Sequence, residues 1–212
     1  MPREIKLTNT LTRAKEVFKP LKADSVGVYS CGPTVYWFQH IGNMRAAFCW
    51  DILVKTLLRL GYPVKHVMNF TDVGHLKSDA DEGEDKMIIA MRREGKSPWD
   101  IAKFYGDAYM ADRAAMNMRV PDVVCPATQH VPEMIEMIEK LEANGFAYRA
   151  EGNVYYDTSR YSRYNQLRGN RHASAEYARV EGDERKRNAE DFVLWFGDSK
   201  HGDQAMQWDS PW

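Results

Sequence analysis

Cysteine is scarce in this 212-residue chain: Cys31, Cys49 and Cys125 are the whole complement. Three thiols cannot build a disulfide framework, and their scarcity favours a reducing compartment such as the cytoplasm. Charge of one sign is also missing, with 29 basic against 30 acidic residues. That balance gives no global electropositive footprint for nucleic acid, although a local basic patch is still compatible with it. No run approaches the roughly 18 apolar residues of a membrane span, so no membrane association is expected. Met1–Lys6 has no apolar core, and no secretory leader is expected there. Internal repeats and low-complexity tracts are absent. What remains is an ordinary globular composition, 44% hydrophobic and 28% charged. A chain this long buries roughly 70% of its unfolded surface, enough for one large domain or two small ones.

Local patterns set an order of elements. Residues 1–25 are polar and read as loop, with Phe18 and Leu21 as isolated anchors. Residues 26–31 read as a short strand, stopped by Gly32-Pro33 because proline cannot continue a ladder. From Met44 to Leu60, Ala47, Trp50, Val54, Leu57 and Leu58 recur at helical spacing. Phe48, Ile52, Leu53 and Leu60 widen that stripe, and Gly61 supplies the stop. Residues 63–70 read as a second strand, completing a βαβ unit with a right-handed crossover. Helices are expected from 84 to 94, from Ser97-Pro98 to about Met118, and from 128 to 144. A hairpin is expected around Glu151-Gly152, and residues 158–191 read as an extended, charged surface segment. Two strands do not make an open parallel sheet, and the partners are not evident in the pattern.

The chemistry concentrates between the first strand and the long helix, in residues 30–43 (SCGPTVYWFQHIGN). That position is the C-terminal edge of a parallel sheet, where open α/β folds bind ligands. A helix N-terminus offers unpaired N–H groups and the positive end of a dipole, which favour phosphate. His40 and Asn43 add side-chain donors, and Gly42 permits close backbone approach. The same pattern also fits a merely capped helix with a partly buried histidine.

The run Cys31-Gly32-Pro33-Thr34-Val35-Tyr36, followed by His40-Ile41-Gly42-Asn43, resembles the signature of cysteinyl-tRNA synthetases, a class I aminoacyl-tRNA synthetase family in which Asn commonly replaces the last His of the HIGH motif. Further blocks match in order: residues 69–75 (NFTDVGH), 127–134 (ATQHVPEM), 191–195 (DFVLW) and 206–212 (MQWDSPW). The resemblance implies the first half of a Rossmann-like nucleotide-binding domain over residues 1–120. It implies an inserted α+β connective domain over 121–205 and a return towards a second half over 206–212. It implies ATP-dependent activation of L-cysteine, with ATP carried as its Mg2+ complex, and transfer to the 3′ end of tRNA(Cys). By the same resemblance, Cys31 is one ligand of a Zn2+ ion and Gly32 with Thr71 lies against the substrate. Pro33, Thr34, His40, Gly42 and Asn43 form the ATP-binding region, with His40 and Asn43 on the phosphates. Zinc suits the task, since a substrate thiolate ligates it and a hydroxyl does so poorly.

The family's other zinc ligands (Cys, His and Glu), its KMSKS loop and its anticodon-reading domain have no counterpart in these 212 residues. The chain by itself is therefore expected to be incomplete and inactive, its zinc site included. His40 and His75 lie at no standard ligand spacing from Cys31, and Cys49 and Cys125 read as packed thiols. The acidic run Asp79, Asp81, Glu82, Glu84, Asp85 does not follow EF-hand spacing and reads as a solvated loop. Tyr155, Tyr156, Tyr161 and Tyr164 interleave with arginines, a mixture that fits a solvated face better than a nucleic-acid surface. Two rival readings stand beside the ligase: a non-catalytic or split-enzyme fragment completed by a partner chain, and a cysteine ligase with a small amine acceptor.

Overall fold

A computed structural model describes residues 2–73, 86–167, 185–197 and 205–212. The elements are β1 (Lys6–Asn9), β2 (Ala14–Val17), β3 (Val26–Ser30), α1 (Ile41–Arg59), β4 (Val64–Phe70), α2 (Lys86–Glu94), α3 (Pro98–Ala115), β5 (Val123–Pro126), α4 (Val131–Ala143), β6 (Ala147–Ala150), β7 (Asn153–Tyr156) and β8 (Phe192–Trp195). A 3-10 turn, Ala127–His130, leads into α4.

The central sheet is parallel, in the order β3-β4-β5. β3 pairs with β4 from Val26↔Val64 to Ser30↔Met68, and β4 pairs with β5 from Val67↔Val123 to Phe70↔Pro126. The expected βαβ unit is therefore present, and β5 is the strand that the pattern did not reveal. It lies past residue 120, inside the stretch expected to be insertion. Four half-buried residues give it no alternation to recognise. Residues 1–25 correct their reading as loop: β1 and β2 form an antiparallel hairpin, turned through Arg13 at φ 58°.

The stripe that α1 buries also differs from expectation. Met44, Ala47, Asp51, Val54 and Leu57 face inward, whereas Phe48, Trp50, Ile52 and Leu58 are exposed. The helix turns its smaller side chains to the sheet, so Met44 and Ala47 pack with Met68 of β4 and Tyr109 of α3. Cys49 lies on the outer face and is exposed, which corrects its reading as a packed thiol; Cys125 is half-buried in β5.

A polar layer ties this helix to the sheet. Asp51 accepts the Arg119 N–H at 2.7 Å, and Asp122 accepts the His66 N–H at 2.7 Å. Arg119 forks onto the Asp122 carboxylate, and the His66 ring contacts Ser30 Oγ at 2.8 Å. Burial first, then the charges of Arg113 and Arg119, hold His66 below its ordinary pKa and keep the ring neutral.

The second unit is antiparallel, β6-β7-β8, with the hairpin turning at Glu151-Gly152 as expected. Residues 158–167 and 185–191, the described parts of the stretch expected to be surface, are more than that. Asp191 is buried and accepts from Tyr148 Oη at 2.9 Å, Thr158 N at 2.9 Å and Asn188 N at 3.0 Å. Burial pushes the Tyr148 hydroxyl up to about 12. Tyr155 is fully buried against Tyr148, and Tyr156, Tyr164 and Phe192 stack on the other face. Arg168, Arg171, Arg179, Glu176, Glu181, Asp183 and Glu184 lie outside the described residues. No helix among the described residues is long and apolar enough to cross a membrane.

The Arg119 fork, then the His66 N–H, hold the Asp122 carboxyl down to about 2. A depressed carboxyl stabilises the fold fully above its ordinary value and loses that contribution as pH falls through its native value. Asp122→Asn is expected to lower stability at neutral pH by about 1 kcal/mol, a figure reduced for partial solvent screening. The gap to the parent should close as pH falls from about 4 towards 2, and urea titrations across that range read it directly.

Candidate functional site

The site is built on a close approach of two chains. Past β3, the Gly32 N–H donates to Asn69 Oδ1 at 3.0 Å. A Cβ placed on Gly32 would sit 1.6 Å from the Asn69 carbonyl oxygen, so no side chain fits there. Pairing then continues beyond the strand: Thr71 N–H donates to Pro33 O at 3.0 Å, Val35 N–H donates to Thr71 O at 3.2 Å, and Thr34 bridges Thr71. Asn69 Nδ2 donates to Thr71 Oγ1 at 3.4 Å. Gly32, Pro33, Thr34 and Thr71 thus meet at one sheet edge. Val35, fully buried among Met87, Ile101 and Tyr105, anchors the turn from beneath.

The chain then enters α1 through a histidine cap. His40 is the N-cap residue, and its Nδ1 accepts the Gly42 N–H at 3.1 Å. A neutral ring that accepts at Nδ1 carries its proton on Nε2, which is thereby available as a donor. Gly42 allows this fold-over, because a Cβ would stand 2.9 Å from His40 Cε1. Gln39 braces the turn: its Nε2 donates to Thr34 O at 3.1 Å, and its Oε1 accepts from Asn43 Nδ2 at 2.7 Å. No acidic residue occupies the first helical turn, so the positive end of the dipole is uncompensated there. His40, Gly42 and Asn43 are all exposed, which corrects the partly buried histidine of the capped-helix reading. The arrangement can hold an anion through the Nε2 proton and an Asn43 amide proton, at the positive end of the helix dipole.

Gln39 and Asn69 are functional supports that the sequence reading passed over. Both lie inside recognised blocks, and an amide side chain can pair with backbone donors and acceptors alike, which was the available signal.

Cys31 is exposed at the strand end, with its Sγ 3.5 Å from Gly32 O. Register places Cys125 beside Asn69, so the neighbouring thiol is one strand further across the sheet. Among the described residues no group of three or more His, Cys, Asp or Glu side chains could hold a metal. Closed zinc sites need four ligands and catalytic ones three, so one thiolate does not fit a zinc ion by itself. His40 points its Nδ1 at Gly42. His75 and the Asp79–Asp85 acidic run lie outside the described residues.

On the opposite side of the same strand end, a cleft of about 510 Å3 opens between α3 and the turn after β5. Phe70 and Asp72 line this cleft, while the Asn69 side chain takes the Gly32 N–H and reaches Thr71 Oγ1. Asp72 accepts from Thr128 N at 3.0 Å and from Thr128 Oγ1 at 2.6 Å, which ties two of the recognised blocks together. Trp208 meets Trp99 edge-on at 6.3 Å, and Trp212 Nε1 donates to Glu142 at 2.7 Å, so the last block returns to the body.

A parallel strand–helix–strand unit with a glycine-tight turn after its first strand places this chain in the class of open α/β folds, whose ligands bind at the C-terminal strand edge. The family model described as tRNA synthetases class I (C) catalytic domain matches residues 17–212. The chain is 52% identical over 209 residues to a cysteine–tRNA ligase of Treponema denticola, covering 98% of this chain and 42% of that protein. It is 46% identical over 211 residues to a cysteine–tRNA ligase of Borrelia hermsii, covering 98% and 44%. Among solved structures, the LeuRS of Agrobacterium radiobacter K84 in complex with tRNA and LeuAMS superposes with a TM-score of 0.48 at 19% identity, covering 67% of this chain and 17% of that one. The chain belongs to the class I (C) tRNA synthetase catalytic-domain family. It spans less than half the length of these curated relatives.

His40→Ala is expected to destabilise the fold by about 1 kcal/mol through loss of the cap, and His40→Asn to stay within a few tenths of the parent. Gly32→Ala should lower stability by more than about 3 kcal/mol, because strand β4 must move. Chemical denaturation of the three variants checks both.

Proposed function

We propose that this chain forms the ATP- and cysteine-facing part of a cysteine–tRNA ligase. The observation that carries the reading is the Cys31–Asn43 turn, pinned to β4 at Gly32 and ending in a helix start that favours anions. The names of the relatives support the amino acid and the tRNA acceptor.

In this reading ATP, as its Mg2+ complex, lays its phosphates at the start of α1. His40 Nε2–H and the Asn43 amide donate to phosphate oxygens, and Pro33, Thr34 and Gly42 shape the backbone around the nucleotide. L-Cysteine lies over Gly32 with Thr71 at its side. A cysteine carboxylate oxygen attacks the α-phosphorus in line, the bond to the bridging oxygen breaks, and pyrophosphate leaves with the electron pair. Donors aimed at the oxygens that gain charge lower the barrier, and no covalent enzyme intermediate is needed. A terminal tRNA hydroxyl then displaces AMP from the adenylate. Cys31 is one thiolate for the Zn2+ that would select a thiol substrate. The described residues do not complete that site. The antiparallel unit β6-β7-β8 belongs to the connective insertion. The setting is the cytoplasm, where thiols stay reduced.

One observation favours completion by further polypeptide. Among the described residues, helices cover one face of the parallel sheet. The other face carries Gly27, a 65% exposed Tyr29, Lys65 and Val67 along a groove of about 640 Å3. Parallel sheets are ordinarily covered on both faces, and β3 is an unpaired edge.

Cysteine-dependent ATP–pyrophosphate exchange tests the assignment. The 212-residue chain alone is expected to bind ATP and to give no exchange; a chain reconstituted with the remaining length of its relatives should exchange with cysteine and not serine. Robust exchange by the isolated chain would overturn the incomplete-site reading, and absence of ATP binding would overturn the phosphate role of the turn.

A further inference from the structure

The residues that grip the His40 turn from outside have no part in the reading above. Arg93, in the last turn of α2, lies over the Trp37 ring with its guanidinium carbon 3.6 Å from the centroid. Its Nη2 donates to the Tyr36 carbonyl at 3.4 Å, to Tyr105 Oη at 3.3 Å and to Glu94 Oε1 at 2.8 Å. Tyr105 Oη donates to the same Glu94 oxygen. The Tyr105 ring, buried in α3, meets Trp37 at 5.7 Å and Phe38 at 5.0 Å. One guanidinium therefore joins α2, α3 and residues 36–38, which end two positions before the histidine cap.

We propose that Arg93 is a positioning residue, which staples residues 36–38 to α2 and α3 and thereby fixes the direction in which His40 presents its Nε2 proton to an anion. The far side of the loop is already fixed, by the buried Val35 and by the Gln39 bonds to Thr34 and Asn43. Without the staple, Trp37 and Phe38, respectively 44% and 51% exposed, keep their ring contacts and the Gln39 Nε2 bond to the Trp37 carbonyl at 3.2 Å. Charge alone does not account for the arrangement, because the guanidinium is spent on a ring face, a carbonyl and a carboxylate. The bonds from Arg93 and then Tyr105 hold the Glu94 carboxyl down to about 2, so the pair is ionised at neutral pH.

The inference rests on the phosphate role proposed for the start of α1, and two arms of one experiment separate them. In the first, Mg-ATP affinity of the 212-residue chain is measured by equilibrium dialysis for the parent, Arg93→Ala, Arg93→Lys, Trp37→Ala and the Arg93→Ala/Trp37→Ala double variant. Each single variant is expected to raise Kd about tenfold, Arg93→Lys included because an ammonium has no planar fork. The double variant should add little, since both changes undo one staple. Parent-like binding by Arg93→Lys would reassign Arg93 to simple charge attraction and overturn the proposal, as would parent-like binding by Arg93→Ala. In the second arm, hydrogen exchange compares residues 34–42 with residues 98–115. Faster exchange confined to the first segment in Arg93→Ala supports the staple, and unchanged exchange overturns it. If the parent chain binds no ATP, the phosphate reading fails while the exchange arm still decides the staple. Should Arg93→Ala not fold, Arg93→Lys and Trp37→Ala carry both comparisons.

Discussion

Gly32 approaches the backbone of β4 so closely that a methyl group would overlap the Asn69 carbonyl, and the Asn69 side chain takes the Gly32 N–H in return. The rest of the candidate site depends on this contact. It extends parallel pairing past the end of β3, so that Thr34 and Thr71 share a bridge where the sheet would otherwise splay. It turns the chain over the sheet edge towards the His40 cap from which α1 starts. An alanine at position 32 would push the two strands apart and carry the whole turn with it.

Around that contact the fold uses polar side chains as struts. Gln39 joins the Thr34 carbonyl to the Asn43 amide, Asn69 joins the Gly32 N–H to the Thr71 hydroxyl, and the His40 ring closes the first turn of α1. Below the sheet edge, Asp51 and Asp122 take backbone N–H groups from Arg119 and His66, joining α1, β4 and the approach to β5. A buried carboxylate is costly unless paired, and Lys55 stands 2.7 Å from the buried Asp51, while Arg119 forks onto the exposed Asp122. These bonds are directional, which apolar packing is not. They fix the angle between helix and sheet that the turn requires. The antiparallel unit applies the same device with Asp191, which gathers Tyr148, Thr158 and Asn188.

Legibility in the sequence followed the strength of the local signal. The β3–α1–β4 unit was readable because a strand, a stop and a long periodic run follow one another, and the Glu151-Gly152 turn was readable from its own chemistry. β5 escaped because four residues that end in Cys-Pro carry no period. The β1–β2 hairpin escaped because its residues are almost all exposed, leaving no alternation of apolar and polar positions. The inward stripe of α1 was read in part: Ala47, Val54 and Leu57 are buried as expected, whereas Trp50 and Phe48 are large yet face outward, and Asp51 is acidic yet faces in. Within the site, the residues named in advance do converge on one edge, whereas Gln39, Asn69 and Arg93 were silent, since an amide or guanidinium declares its partner only when the chain has folded.

By itself the sequence determined which residues carry donors, a thiol and conformational freedom, and in what order they meet a strand end and a helix start. Those are properties of covalent structure and of spacing along one chain. Tertiary structure decided the rest. It placed Gly32 against Asn69 across 37 residues, and it separated the two faces of the β4 terminus into a turn and a cleft. It left Cys31 without neighbouring ligands among the described residues, and it laid Arg93 on Trp37. Each of these is a contact between segments distant in sequence, and its existence rests on packing geometry that no local pattern encodes.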